Sequence, residues 1–248
     1  MEQNTSKVPE VTLAFWIIKI AATTLGETGG DAVSMSMNFG YLAATGIFAV
    51  IFLLAVAAQI AAKRFHPFVY WATIIATTTV GTTLADFADR SLGIGYAGGA
   101  SLLFVLVIAS LAAWYYTLGA VSVDTVSSPR AEEFYWLTIM FSQTLGTALG
   151  DWTADTAGLG YTGGAAVFSA LLAVVVMAYC WTSISRTALF WAAFILTRPL
   201  GAVVGDFLDK PVTEGGMALN RYSASAALLV FMVACIMFVP HKPASKHH

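Results

Sequence analysis

The sequence predicts an all-α polytopic membrane protein: eight transmembrane helices built from four parallel two-helix repeats, the odd-numbered helices forming the inner bundle. Three observations carry that prediction. Of 248 residues, 58% are hydrophobic and 10% charged, against about 25% charged in a soluble domain. With a mean hydropathy of +0.76, too little polar surface is left to cover a water-soluble globule. Eight apolar segments approach the roughly 20 residues a helix needs to cross a bilayer, and one motif recurs four times along the chain.

The segments are 11–30, 41–62, 68–86, 96–118, 134–151, 161–182, 188–206 and 222–240. The first follows a polar start, "MEQNTSKVPE", and is full length, so a cleaved signal peptide is not expected. Even-numbered segments, such as "YLAATGIFAVIFLLAVAAQIAA" (41–62) and "SLLFVLVIASLAAW" (101–114), carry few polar side chains and read as lipid-facing. Odd-numbered segments are richer in threonine and glycine, as in "ATTTVGTTLAD" (76–86) and "SQTLGTALGD" (142–151). Small residues four apart let helix backbones approach closely, and hydroxyls bond across the contact. "GIGYAGGA" and "GLGYTGGA", opening the fourth and sixth segments, indicate further close approach. Pro199 removes a backbone donor from the seventh and predicts a kink there.

Connections are short, so the chain reads as one membrane domain, 1–248, with repeats at 11–65, 66–125, 131–186 and 187–240. Lys7, Lys63, Arg64, Arg130, Arg186, Lys242 and Lys246 fall on the side of the termini, against Arg90, Lys210 and Arg221 on the other. The positive-inside rule then puts both termini in the cytoplasm. Cys180 and Cys235 read as core residues. Histidine is confined to His66 in a loop and His241, His247 and His248 in the tail, which disfavours an imidazole-bound zinc site and a serine–histidine hydrolase. The tail histidines carry no further argument.

The repeat is the strongest signal. Aligned on Gly26, Gly81, Gly146 and Gly201, the copies are spaced by 55, 65 and 55 residues, so the first pair maps on the second by a shift of 120. Ten residues before each glycine stands Trp16, Trp71, Trp136 or Trp191; five after it stands Asp31, Asp86, Asp151 or Asp206. The tryptophans fit interface anchors or packing residues. In these tryptophan-bearing units the chain resembles a family of bacterial integral membrane proteins made of four tandem two-helix repeats, each with a characteristic tryptophan and no assigned function. The resemblance covers nearly the whole chain. It implies the eight-helix architecture and a bacterial inner membrane, and it implies no substrate.

Two helices per unit give all four units one orientation, so the motifs share one depth, the outer end of each odd helix. Glu27, Asp31, Asp86, Asp89, Asp151, Asp155, Asp206 and Asp209 therefore form a candidate ion-binding cluster, with Glu27, Asp31, Asp86, Asp151 and Asp206 as metal ligands. A second aspartate three or four residues after the first shares its helical face if the helix continues. Carboxylates at helix carboxyl termini face the negative end of the macrodipole, and a cation or a proton relieves that cost. The opposing reading makes them solvated helix ends, with Arg90 and Lys210 neutralising the adjacent second aspartates. Glu27 lies within the span, where an ionisable residue is a functional candidate. Lys19 and Arg198 lie there too, either as a structural ion pair with Glu27 or as a charge relay.

Oxygen ligands without cysteine or histidine suit a hard divalent cation such as Mg²⁺, Ca²⁺ or Mn²⁺. The expected function is a membrane carrier or channel for such a cation, Mn²⁺ or Mg²⁺ foremost. The alternatives are a proton-coupled organic-cation carrier, with π-faces from Phe87, Trp152 and Phe207, and a non-transporting scaffold or assembly factor. No nucleophile–base pair points to an enzyme. The implied partners are the bilayer and the cation. No cofactor beyond a bound divalent ion and no nucleic acid is implied, and homo-oligomerisation is left open.

Overall fold

A computed structural model describes residues 6–245; Lys246, His247 and His248 lie outside the described residues. Among the described residues eight α-helices follow one another: α1 (Leu13–Asp31), α2 (Gly40–Ala61), α3 (Pro67–Asp86), α4 (Tyr96–Leu118), α5 (Pro129–Asp151), α6 (Gly160–Trp181), α7 (Arg186–Asp209) and α8 (Arg221–Phe238). Local chemistry sets several ends. Thr12 and Ser128 cap α1 and α5 through side-chain oxygens that accept from Phe15 N and Ala131 N. Pro67 and Pro129 occupy first-turn positions, where a missing N–H costs nothing. Gly119, at φ +77°, ends α4 in the left-handed conformation that favours glycine. α7 runs as one helix through Pro199 to Asp209.

The four odd helices close a ring, α1 packing on α3, α3 on α5, α5 on α7 and α7 on α1. Even helices surround the ring with an offset of one repeat: α2 packs on α3, α4 on α5, α6 on α7 and α8 on α1. Each repeat thus leans on the next one's inner helix, which interlocks the four units. Few residues of the even helices are buried, Ala44 and Gln59 in α2 and Met232 and Ile236 in α8, whereas the odd helices are buried along most of their length. Cys180 and Cys235 were expected in the core; they are exposed and half-buried on the outer helices α6 and α8.

The repeat glycines explain the ring. A Cβ on Gly26 would stand 2.1 Å from Thr78 Oγ1, on Gly81 3.0 Å from Gln143 Cβ, on Gly146 2.1 Å from Arg198 Cγ, and on Gly201 2.1 Å from Thr23 Oγ1. In every case the intruding residue stands three before the next repeat's own glycine. One notch is therefore used four times around the ring, as small-residue packing in membranes requires.

Among the described residues six helices, α2, α3, α4, α6, α7 and α8, are individually long and apolar enough to cross a membrane. α1 and α5 are of spanning length, 19 and 23 residues, but carry Lys19, Glu27 and Asp31, or Arg130, Glu132, Glu133 and Asp151. Lys19, Glu27, Asp31, Glu132 and Asp151 are buried within the bundle, and Arg130 and Glu133 are exposed at the start of α5, so composition alone understates these two helices. The chain is an all-α membrane protein.

At the terminal end of the ring, Phe15, Tyr70, Trp71, Tyr135, Trp136, Phe190 and Trp191 pack into one cluster with Trp114 of α4. The Tyr70 and Tyr135 hydroxyls share a 2.6 Å hydrogen bond at its centre. Trp71, Trp136 and Trp191 are buried and Trp16 half-buried, so these rings pack the bundle rather than anchoring it in the headgroup layer. The chain before α1 crosses this end. Lys7 Nζ donates to the α2 carbonyls Gln59 O (3.3 Å) and Ile60 O (3.0 Å) and pairs with Glu132 of α5 at 2.7 Å.

Candidate cation site at the aspartate end

Asp31, Asp86, Asp151 and Asp206 end the four inner helices at one level, and all four are buried, with 0–3% of their surface exposed. Neither bulk water nor lipid reaches them, so their charges need partners within the protein. Two basic residues supply them. Lys210 Nζ lies 2.5 Å from Asp31 Oδ2 and 3.1 Å from Asp206 Oδ1, joining α1 to α7. Arg90 Nε lies 3.0 Å from Asp86 Oδ1 and its Nη2 3.5 Å from Asp151 Oδ2, joining α3 to α5. Arg221 of α8 adds a 2.9 Å pair with Asp209 and reaches Asp31 at 3.7 Å.

This corrects the expectation that Arg90 and Lys210 neutralise the adjacent second aspartates. Each pairs instead with the first aspartate four residues before it and with the first aspartate of the next inner helix. Geometry is the reason: one helical turn back places the two side chains on the same face, whereas the adjacent residue points elsewhere. The arrangement obeys the shift of 120 residues, which carries Asp86 to Asp206, Arg90 to Lys210 and Asp31 to Asp151. Burial disfavours the Lys210 ammonium, but the Asp206 and Asp31 carboxylates outweigh it and hold the group charged well above the ordinary lysine range.

The second aspartates part company. α1, α3 and α5 widen into π-helical turns directly after the first aspartate, at Ala32–Ser36, Phe87–Ser91 and Trp152–Thr156, while α7 continues as α-helix through Asp209. Such turns break the register on which a shared face depends. Asp89 lies under α4, where a Cβ on Gly99 would come 2.5 Å from its Oδ1. The Asp155 side chain is 47% exposed and 3.9 Å from Arg90, outside the buried group. Asp209 alone stays with the first aspartates. Asp31, Asp206 and Asp209 each offer an oxygen within 4.8 Å of the other two, and among the described residues no other such trio occurs. The five proposed metal ligands therefore do not form one sphere, because Arg90 holds Asp86 and Asp151 apart from this trio and Glu27 lies a turn deeper.

Glu27 is buried and meets Arg198: Nη2 lies 2.9 Å from Glu27 Oε2. The same nitrogen donates to Thr82 Oγ1 at 2.6 Å and to Thr147 Oγ1. Thr82 and Thr147 stand where Glu27 stands in its own repeat, one residue after the glycine. One guanidinium from α7 thus reaches across the axis to α1, α3 and α5. Lys19, the other candidate partner for Glu27, is not used by it. Its Nζ is fully buried without a hydrogen-bond partner and lies 4.1 Å from the Phe194 ring centroid. Arg198 outcompetes it by starting four residues below Glu27's own level on the neighbouring helix, while Lys19 sits two turns down on α1.

Sequence reasoning left Arg221, Thr82 and Thr147 out of the site. The repeat register could have found the threonines, since they align with Glu27, and the 120-residue shift could have paired Arg90 with Lys210. Arg221 carries no comparable signal, because its role comes from α8 folding back on α1.

A repeat family described as Repeat of Unknown Function (DUF347) matches residues 14–65, 69–119, 134–185 and 189–239. The chain belongs to this family. No curated protein and no solved structure matches it.

Proposed function

We propose that this protein is a membrane carrier for a cation, a divalent metal such as Mn²⁺ or Mg²⁺ foremost, taken up by the buried carboxylates at the aspartate end. One observation carries the reading: carboxylates of neighbouring inner helices converge on a positive group inside a membrane bundle, a coordination shell already filled by a resident ammonium. A carrier needs such a site to be neutralised when empty, and a tethered cation does that. Glu27, one turn deeper and held by Arg198, is the next carboxylate along the axis, and its release from the guanidinium would couple binding to a change of conformation.

The organic-cation alternative draws less support. Trp152 is exposed and Phe207 packs against the apolar cluster around Leu200 and Val203, so these rings do not box the aspartates. A scaffold that presented its repeat glycines to partners would need them free, and they are occupied within the chain. With both termini in the cytoplasm of a bacterial inner membrane, the aspartate end faces outward.

The test is flux. Purified protein in liposomes with a trapped metal-sensitive dye is expected to pass Mn²⁺ faster than protein-free liposomes, and Glu27→Gln to reduce that rate at least tenfold. Rates equal to those of empty liposomes for Mn²⁺, Mg²⁺, Ca²⁺ and tetraethylammonium alike would replace the carrier with the scaffold.

A further inference from the structure

We infer that the two halves of the aspartate end have diverged: the junction of α7 with α1 is an exchangeable divalent-cation site made by Asp31, Asp206 and Asp209, with the Lys210 ammonium as its built-in competitor, while the Arg90 junction of α3 with α5 is a fixed tie. The inference rests on the carrier reading for its purpose but on separate geometry for its content.

The two resident cations differ in shape. Lys210 Nζ is a single point that Asp31 and Asp206 both approach, at 2.5 and 3.1 Å, and oxygens converging on a point are what a metal ion requires. Arg90 meets Asp86 and Asp151 through different nitrogens of a planar fork, so those oxygens are spread along the guanidinium and share no centre. The third acid differs as well. Asp209 joins the Lys210 side because α7 has no π-helical turn, whereas its counterpart Asp89 sits under Gly99.

Charge and unmet bonding point to the same occupant. Asp31 Oδ1 and Asp209 Oδ1 are buried without a hydrogen-bond partner, and Asp206 Oδ1 is held by Lys210 Nζ at 3.1 Å, all on side chains no more than 4% exposed. Unused carboxylate oxygens at that depth are costly unless a ligand takes them. Three carboxylates against Lys210 and Arg221 leave one negative charge over. A divalent ion in place of the ammonium cancels it, and a monovalent ion does not. An all-oxygen carboxylate set selects hard ions, so Mg²⁺, Mn²⁺ and Ca²⁺ are the candidates. Displaced, Lys210 stands at the end of α7 with the segment to Arg221 beyond it, where a flexible stem can swing to solvent.

Mn²⁺ is the probe. Its binding to detergent-purified protein, followed by loss of the free-ion paramagnetic resonance signal, is expected to tighten at least tenfold in Lys210→Ala and in Lys210→Gln. Arg90→Ala is expected not to tighten it, and Asp209→Asn to weaken it at least tenfold. In the wild type, Mn²⁺ should raise reductive methylation of Lys210, read by mass spectrometry, as the amine is expelled. Equal tightening in Arg90→Ala, wild-type affinity in Asp209→Asn, or methylation of Lys210 indifferent to Mn²⁺ would each overturn the inference. Binding that follows this pattern without flux in liposomes retains the site and removes the carrier; flux that ignores Lys210 and Asp209 does the reverse.

Discussion

The two ends of the inner ring are built from the same four helices and the same repeat, yet they are held by opposite means. At the terminal end, Phe15, Tyr70, Trp71, Tyr135, Trp136, Phe190 and Trp191 fill the space with rings, and the Tyr70–Tyr135 hydroxyl pair lies among them, with the Trp191 Nε1–Val121 O bond and the Lys7–Glu132 ion pair beside them. At the aspartate end the bundle closes through charge, Arg90 and Lys210 each tying the acid four residues before it to an acid of the next inner helix. Ring packing has many small contacts and no alternative partner, so it fixes geometry. A paired carboxylate can trade its partner for another cation without losing its charge balance. The difference teaches where a bundle of this kind can move: the charged end is able to exchange, and the aromatic end serves as the floor.

The sharpest way to break this contrast is at the floor. Trp136→Ala should cost about 3–5 kcal/mol of stability, measured by chemical unfolding in detergent, and should leave Mn²⁺ affinity in the folded fraction unchanged. A loss of affinity without a loss of stability would erase the division of labour. Comparable in size is Arg198→Met, which strands the buried Glu27 charge at a cost of about 3–5 kcal/mol. Adding Glu27→Gln should recover most of that, since both charges are then gone. No recovery in the double variant would mean that Arg198 stabilises by packing against Gly146 rather than by pairing. The smallest effect sharpens the boundary of the charged end: Asp155→Asn, exposed and 3.9 Å from Arg90 at the rim, should change stability by no more than about 0.5 kcal/mol. A larger loss would enlarge the buried network to include Asp155.

Much of this was legible in residue order. The eight helices lie within a few residues of the apolar segments, with α5 starting earlier at Pro129 and α7 ending later at Asp209. The inner placement of the odd helices followed from their threonines and glycines, and a partner for Glu27 among Lys19 and Arg198 from their places within the spans, but the choice of Arg198 did not follow. The partners of the first aspartates did not follow. Lys210 touches Asp31 across 179 residues, and nothing local distinguishes it from a lysine that serves Asp209 next door. The dispersal of Asp89, Asp155 and Asp209 was hidden too, because a π-helical turn in place of an α-helical one has no clear mark in these sequences.

Residue order by itself determined the membrane setting, the fourfold unit and the common level of the acids, because hydropathy and a repeated motif are properties of the chain that need no folding to be read. Tertiary structure decided which charge answers which. Ion pairs depend on distances between helices far apart in sequence, and those distances exist only once four glycine notches have closed the ring.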